Sequence, residues 1–177
     1  LRSFLIRAFR WLMNPVNVHV IVQNEDDEGL LLGLGVARKE RITLIRGSGV
    51  DTEKHPQIKE VGGTPVAVMV SRLLWDKGVA EFVEAARLLK RRNIDVRMTL
   101  IGDPDPSNPR SVPENQVRLW HQDGIIEWQG HRNDIVDVWA QSHIAVLPSY
   151  REGTPKSLLE AAASGRAIVT TDVPGCR

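Results

Sequence analysis

Between residues 66 and 170 the sequence alternates short apolar runs with segments of helical spacing, and this alternation constrains the fold more than any other feature. Val66-Ala67-Val68-Met69-Val70 is β-branched and continuous, the pattern of a strand covered on both faces. Residues 97–101, 125–128, 144–147 and 167–170 read as further strands. Between them, Val79, Phe82, Val83, Ala86 and Leu89 share one helical face. A second helix is predicted over 113–120, Ile135, Val136, Val138 and Trp139 mark a short third, and a fourth is expected over 155–164. That order implies an α/β fold, a parallel sheet with helices on both faces joined by right-handed crossovers. Ligands of such sheets bind outside the carboxyl ends of the strands. Chemistry is therefore expected in loops 71–78, 102–112, 129–134 and 148–155.

The region before residue 66 is organised differently. Residues 1–14 read as an amphipathic helix, with Arg2, Arg7 and Arg10 on one side and Leu1, Leu5, Ala8, Phe9 and Leu12 on the other. A membrane-surface helix would show this stripe, but a helix packed on a neighbouring sheet with its arginines in water is the expectation. Residues 19–22 read as a short strand. Asn24 heads a helix with Glu25, Asp26, Asp27 and Glu28 at its positive end, and Gly33 or Gly35 stops it. Residues 42–45 form another expected strand. From Gly47 to Gly63 no periodicity is present, and the stretch reads as a linker. The sequence opens inside a helical pattern without Met and stops just after a strand and a turn, so a fragment of a longer chain is expected.

Composition narrows the function classes. The 177 residues are 42% hydrophobic and 25% charged, which excludes a disordered chain, a collagen-like fibre and a disulfide scaffold. A net charge of +1 offers no global electrostatic grip on nucleic acid. Cys176 is the single cysteine and cannot pair within the chain, so a reducing, cytoplasmic compartment is expected. No apolar run approaches the roughly 20 residues of a spanning helix.

Two loops carry the candidate chemistry. In Ser71-Arg72-Leu73-Leu74-Trp75-Asp76-Lys77-Gly78, Arg72 can grip a phosphate with two parallel N–H bonds, and Lys77 adds a point charge. The alternative is a solvated loop with an Arg72–Asp76 ion pair. In residues 149–160, Gly153 permits close backbone approach, Thr154 can cap the next helix, and Pro155 suits its first position. The helix start around Pro155 and Ser157 then offers unpaired N–H groups to a diphosphate. Glu152 precedes the helix, and Glu160 lies about one and a half turns into it. Each carboxylate suits a sugar diol, because it accepts two hydroxyl hydrogen bonds. The alternatives are a dipole-complementing charge for Glu152 and a solvent-facing helix residue for Glu160.

Glu152 and Glu160, with seven residues between them, resemble the E-x7-E motif of retaining glycosyltransferases with the GT-B fold, most closely the bacterial group 1 transferases, also called family 4. Residues 70–78 are similar to that family's strand and diphosphate loop, and Leu100-Ile101-Gly102-Asp103 to its next strand end. Pro148-Ser149-Tyr150-Arg151-Glu152-Gly153 and residues 159–166 continue in register, and Gly47-Ser48-Gly49-Val50-Asp51 looks like its interdomain linker. The resemblance implies that residues 1–46 are the tail of an N-terminal acceptor domain and 47–62 an interdomain linker. Residues 63–177 would then be a C-terminally truncated, Rossmann-like nucleotide-sugar domain. It implies that Arg72 and Lys77 neutralise the donor diphosphate, Glu152 contacts the transferred sugar and Glu160 holds the ribose hydroxyls. Backbone around Gly153 and Thr154 would support sugar and phosphate, and the loop at Gly130-His131-Arg132 would lie near the base. Thr154 departs from the bulky apolar residue usual in the family.

The implied reaction is sugar transfer, with retention, from a nucleotide-diphosphate sugar, UDP-linked, to an acceptor. That acceptor would be a saccharide or lipid-linked saccharide of surface polysaccharide synthesis, met at the inner face of the plasma membrane with possible peripheral contact. Negative charge grows on the leaving diphosphate, where Arg72, Lys77 and the helix dipole stabilise it. Glu152 is expected to position the sugar, not to attack it. The donor is a substrate, no cofactor or metal is implied, and the fragment alone is expected to bind donor without turnover. An epimerase of the same fold and a non-catalytic nucleotide-sugar-binding module are the alternatives. Asp103-Pro104-Asp105 has a D-x-D spacing used by metal-dependent transferases of another fold, but the resemblance argues for metal independence. Gly33-Leu34-Gly35 mimics part of a dinucleotide fingerprint, yet follows a helical run in place of a strand. His19, His121 and His143 are expected to be structural.

Overall fold

The computed structural model describes residues 1–177. It opens with helix α1 (Arg2–Met13), strand β1 (Val20–Val22), helix α2 (Glu25–Gly33) and strand β2 (Ile42–Leu44). β1 and β2 pair in parallel as a two-stranded sheet. The Asn24 side chain caps α2 by accepting from Asp27 N at 2.8 Å, as its position before four acidic residues predicts. Only Val22, Ala37 and Ile42 form a buried cluster in this part. α1 buries no residue, and here the sequence expectation is corrected. Arg10, itself exposed, reaches across to α2, its guanidinium donating to Leu34 O (2.9 Å from Nε), while Phe4 and Trp11 stand 70% and 78% exposed. The reason is a carbonyl left free at the end of α2, which attracts the cation.

After residue 66 the expected alternation is present: β3 (Val66–Val70), α3 (Val79–Arg91), β4 (Arg97–Ile101), α4 (Glu114–Gln122), β5 (Glu127–Trp128), α5 (Ile135–Ala140), β6 (Ile144–Leu147), α6 (Lys156–Ala163) and β7 (Ala167–Thr170). All pairings are parallel, in the order β5-β4-β3-β6-β7. A single core of 22 buried residues holds this sheet to its helices, with Met69, Phe82, Leu100 and Trp139 among the most deeply placed. β5 is shorter than the apolar run suggests. The amides of Ile125 and Ile126 both donate to Trp120 O in the turn that ends α4, so they are not free to pair with β4.

Chain order reverses between β3 and β6, and there the sheet opens a crevice at its carboxyl edge. The loops after these two strands meet. Asp76 O accepts from Ser149 Oγ (3.1 Å) and from Tyr150 N (3.0 Å). Gly78, at φ 81°, passes so close that a Cβ would lie 2.1 Å from Pro148 O. Gly102, at φ 131°, would put a Cβ 1.9 Å from Ser71 O. No other residue type fits either place, so both glycines are what lets three strand ends crowd together.

Residues 45–65 form no helix or strand, and they are pinned along their length. Ile58 N donates to Ser164 O, and its carbonyl receives Arg166 Nη2. His143 accepts Val66 N at Nδ1 (3.0 Å), so its proton sits on Nε2 and is donated to Val61 O at 2.8 Å. His19 and His121 likewise bond neighbours, Thr43 Oγ1 at 2.7 Å and Trp128 N at 3.2 Å, in keeping with structural roles.

Candidate active site

The crevice between β3 and β6 brings Lys77 and Glu152 together. Lys77 Nζ lies 2.6 Å and 2.7 Å from the two oxygens of Glu152, and the side chains are 22% and 11% exposed. Glu152 is therefore not a helix-start charge: its carboxylate is spoken for by a cation of the opposite loop. Glu160 is not solvent-facing either, being 8% exposed on the inner side of α6. Its Oε1 has His55 Nε2 at 3.7 Å and Lys156 Nζ at 3.4 Å. Neither oxygen accepts a hydrogen bond from the chain. A carboxylate so enclosed, yet holding its acceptor capacity in reserve, is suited to a polar ligand.

Arg72 is placed differently. It lines a neighbouring cavity of about 490 Å³ at the ends of β3 and β4, with Ser71, Gly102, Asp105, His131 and Arg132. Its Nη1 is 3.7 Å from Asp105 Oδ2 and the side chain is 65% exposed, so it is free to move onto an anion. The Arg72–Asp76 pair is absent because Arg110 takes Asp76, with Nε at 3.0 Å and 3.2 Å from the two oxygens. Those hydrogen bonds from Arg110 hold the Asp76 carboxyl below its usual range. A carboxylate depressed in the fold contributes stability above its unfolded value and loses it as pH falls through the folded one. Acidification below about pH 4 is thus expected to loosen loop 71–78. Amide exchange at Trp75, whose N–H donates to Arg110 O at 2.9 Å, is the measurement, and Arg110→Ala should remove its acid dependence.

The start of α6 also departs from expectation. Pro155, at ψ 111°, is the cap residue, and helical geometry begins at Lys156 beside Ser157, with no side chain capping the first turn. Thr154 does not cap. Its Oγ1 donates to Gln23 O at 3.3 Å, and its Cβ would lie 2.8 Å from a Cβ built on Gly47. A linker backbone passing this close explains a small residue at 154. Thr154→Leu is expected to displace the linker and cost about 1–3 kcal/mol, read by urea denaturation. Gly153 does allow a close approach, but the atom that approaches is Gln23 Oε1, 1.9 Å from where its Cβ would be.

These contacts reveal a second layer that sequence spacing did not show. Asn24, already the cap of α2, also donates from Nδ2 toward Glu152 O (3.3 Å) and Gly153 O (3.4 Å), and Asp27 pairs with Arg151. The loop that carries Glu152 is therefore held by the junction of β1 and α2, more than 120 residues away in sequence. A cavity of about 530 Å³ lies beside this junction, lined by Gln23, Asn24, Gly153, Thr154, Pro155 and Leu158 among others. Neither Glu152 nor Glu160 lines it.

Residues 64–177 match the family model described as glycosyl transferases group 1. The chain is 34% identical to the Campylobacter jejuni N,N'-diacetylbacillosaminyl-diphospho-undecaprenol alpha-1,3-N-acetylgalactosaminyltransferase, covering 98% of this chain and 47% of that protein. It is 28% identical to the Escherichia coli UDP-Gal:alpha-D-GlcNAc-diphosphoundecaprenol alpha-1,3-galactosyltransferase, over 88% and 43%. The chain thus spans about half the length of the curated relatives it matches. Among solved structures it is similar to Anabaena Alr3699/HepE in complex with UDP and glucose, with a TM-score of 0.76 at 19% identity over 98% of this chain and 49% of that one. With a parallel sheet of this order and a family match across the whole of its second part, the chain belongs to the group 1 glycosyl transferases, built on the GT-B type of fold.

Proposed function

We propose that this chain is the donor-binding part of a retaining glycosyltransferase that takes a UDP-linked sugar. Residues 1–46 are read as the tail of an acceptor domain, 47–62 as the linker and 63–177 as the nucleotide-sugar domain. The three-residue core of the first part and its exposed Phe4 and Trp11 support its belonging to a larger unit. The acceptor is read as a saccharide on a lipid diphosphate, as the names of the Campylobacter and Escherichia relatives describe for those proteins. Contact with such an acceptor is read as peripheral, at the inner membrane face; no helix is long and apolar enough to cross a membrane.

The observation that carries the reading is the meeting of Lys77 and Glu152 where chain order reverses. Lys77 is held ready on Glu152, and an entering diphosphate offers the amine a second anion. Arg72, from the next cavity, supplies a guanidinium to the same charge, and the uncapped amides of α6 add theirs. With Lys77 drawn to the diphosphate, Glu152 is released to accept hydroxyls of the transferred sugar. Glu160 accepts the ribose pair. As the sugar–oxygen bond breaks, the cations stabilise the negative charge where it grows. The nucleotide sugar is substrate throughout, and no resident cofactor takes part.

Calorimetric titration of UDP tests this. Binding is expected for the wild type and expected to survive EDTA, because the charge is met by side chains. Glu160→Gln should weaken UDP while leaving inorganic diphosphate unaffected. A wild type without affinity for any nucleoside diphosphate would overturn the reading.

A further inference from the structure

His55 is a largely enclosed titratable group beside the crevice that the proposed chemistry does not use. It comes from the linker, is 12% exposed, and points Nε2 at Glu160 Oε1 across 3.7 Å. Its other ring nitrogen, Nδ1, is buried without a hydrogen-bond partner. That is a cost to the fold. A phenyl ring would fill much the same volume without it, so packing alone does not account for an imidazole here. The neighbouring carboxylate does.

The ring is also firmly placed. His55 N donates to Asp51 O at 2.9 Å on one side. Three residues on, Ile58 is tied to Ser164 and Arg166. Gln57 packs over Gly165, 3.2 Å from where its Cβ would be. At 3.7 Å the imidazole is beyond hydrogen-bond range in this conformation, and a few tenths of an ångström would bring it within. The other neighbour, the amine of Lys156, is 68% exposed on a flexible stem and cannot fix an orientation in the same way.

We infer that His55 is a positioning residue for Glu160: its Nε2 fixes the carboxylate so that the oxygens face two vicinal hydroxyls of the donor's ribose. This rests on the donor-site reading above. It makes the linker part of the nucleotide site, because the ring that sets the carboxylate belongs to the segment joining the chain's two parts.

The test compares UDP with 2′-deoxy-UDP on the wild type, His55→Phe, Glu160→Gln and the double variant, by calorimetry. The wild type is expected to prefer the ribonucleotide by on the order of tenfold or more, the size of a hydrogen bond to a charged acceptor. His55→Phe should reduce that preference several-fold while leaving 2′-deoxy-UDP affinity within about twofold, a selectivity that a general loss of structure would not produce. In the Glu160→Gln background, His55→Phe should change nothing further, since His55 acts through that carboxylate. A wild type that discriminates alongside a His55→Phe protein that discriminates equally would overturn this inference alone. Two independent, additive losses would also overturn it. A protein that binds neither nucleotide would overturn the donor site and His55's role together.

Discussion

Lys77→Met is expected to weaken UDP binding on the order of a hundredfold, the scale on which a single preorganised donor to an anion acts. The same substitution should also destabilise the protein, for a separate reason. Glu152 is 11% exposed and Lys77 is its cation at 2.6 Å; removing the amine leaves a largely buried carboxylate unpaired. Breaking one partner of such a pair costs about 3 kcal/mol, whereas removing both costs little. The double variant Lys77→Met/Glu152→Gln therefore separates the two effects. Urea denaturation should show most of the lost stability restored, and UDP titration should show binding still lost. If the double variant regained affinity, Lys77 would matter only as a partner of Glu152, and the assignment of its charge to the diphosphate would fail.

The parts of this arrangement that were legible in the sequence are those set by local pattern. Continuous β-branched runs at Val66–Val70 and Ile144–Leu147 announced strands, and glycine and proline marked the loops after them. Since parallel sheets put strand-to-helix loops on one edge, the loops carrying Lys77 and Glu152 were legible as sites of chemistry, but their meeting depends on β3 and β6 lying side by side, which local pattern does not reveal. What stayed hidden depends on contacts between distant segments. Arg72 could be assigned to the loop, but its lack of a pair with Asp76 is decided by Arg110, which claims that carboxylate across 34 residues. Thr154 carries every local sign of a helix cap and is drawn off by Gln23, 131 residues earlier. The amphipathic stripe of α1 was real, yet its orientation was set by a free carbonyl at Leu34 that no helical periodicity can reveal. His55 sits in an aperiodic polar stretch where a lone histidine carries no signal. Its neighbour Glu160 is the only thing that gives it meaning.

Arg166 should prove a costly polar side chain to remove for stability. It is 5% exposed and has no carboxylate partner. Its guanidinium is satisfied by carbonyls: Ser164 O at 3.0 Å from Nε and 2.9 Å from Nη2, Ser142 O at 2.9 Å from Nη1, and Ile58 O. Ser164 ends α6, so the cation also sits at the negative end of that helix. Hydrogen bonds to a charged group contribute about 1.5–3 kcal/mol each, against a desolvation cost of several kcal/mol for burying the ion. The balance, with Ser142 O and Ile58 O left without a donor, puts Arg166→Leu at about 2–4 kcal/mol destabilised, read as a lower urea midpoint. Arg166→Lys should recover only part of this, because a lysine amine keeps the charge but cannot reach three carbonyls in one plane. The loss should not stop at the core. Ile58 is three residues from His55, so freeing its carbonyl slackens the linker at the point where the imidazole is held against Glu160. Under conditions where the variant remains folded, its preference for UDP over 2′-deoxy-UDP should fall as it does in His55→Phe. A destabilised Arg166→Leu protein that kept full discrimination would show that His55 is placed without help from this anchor.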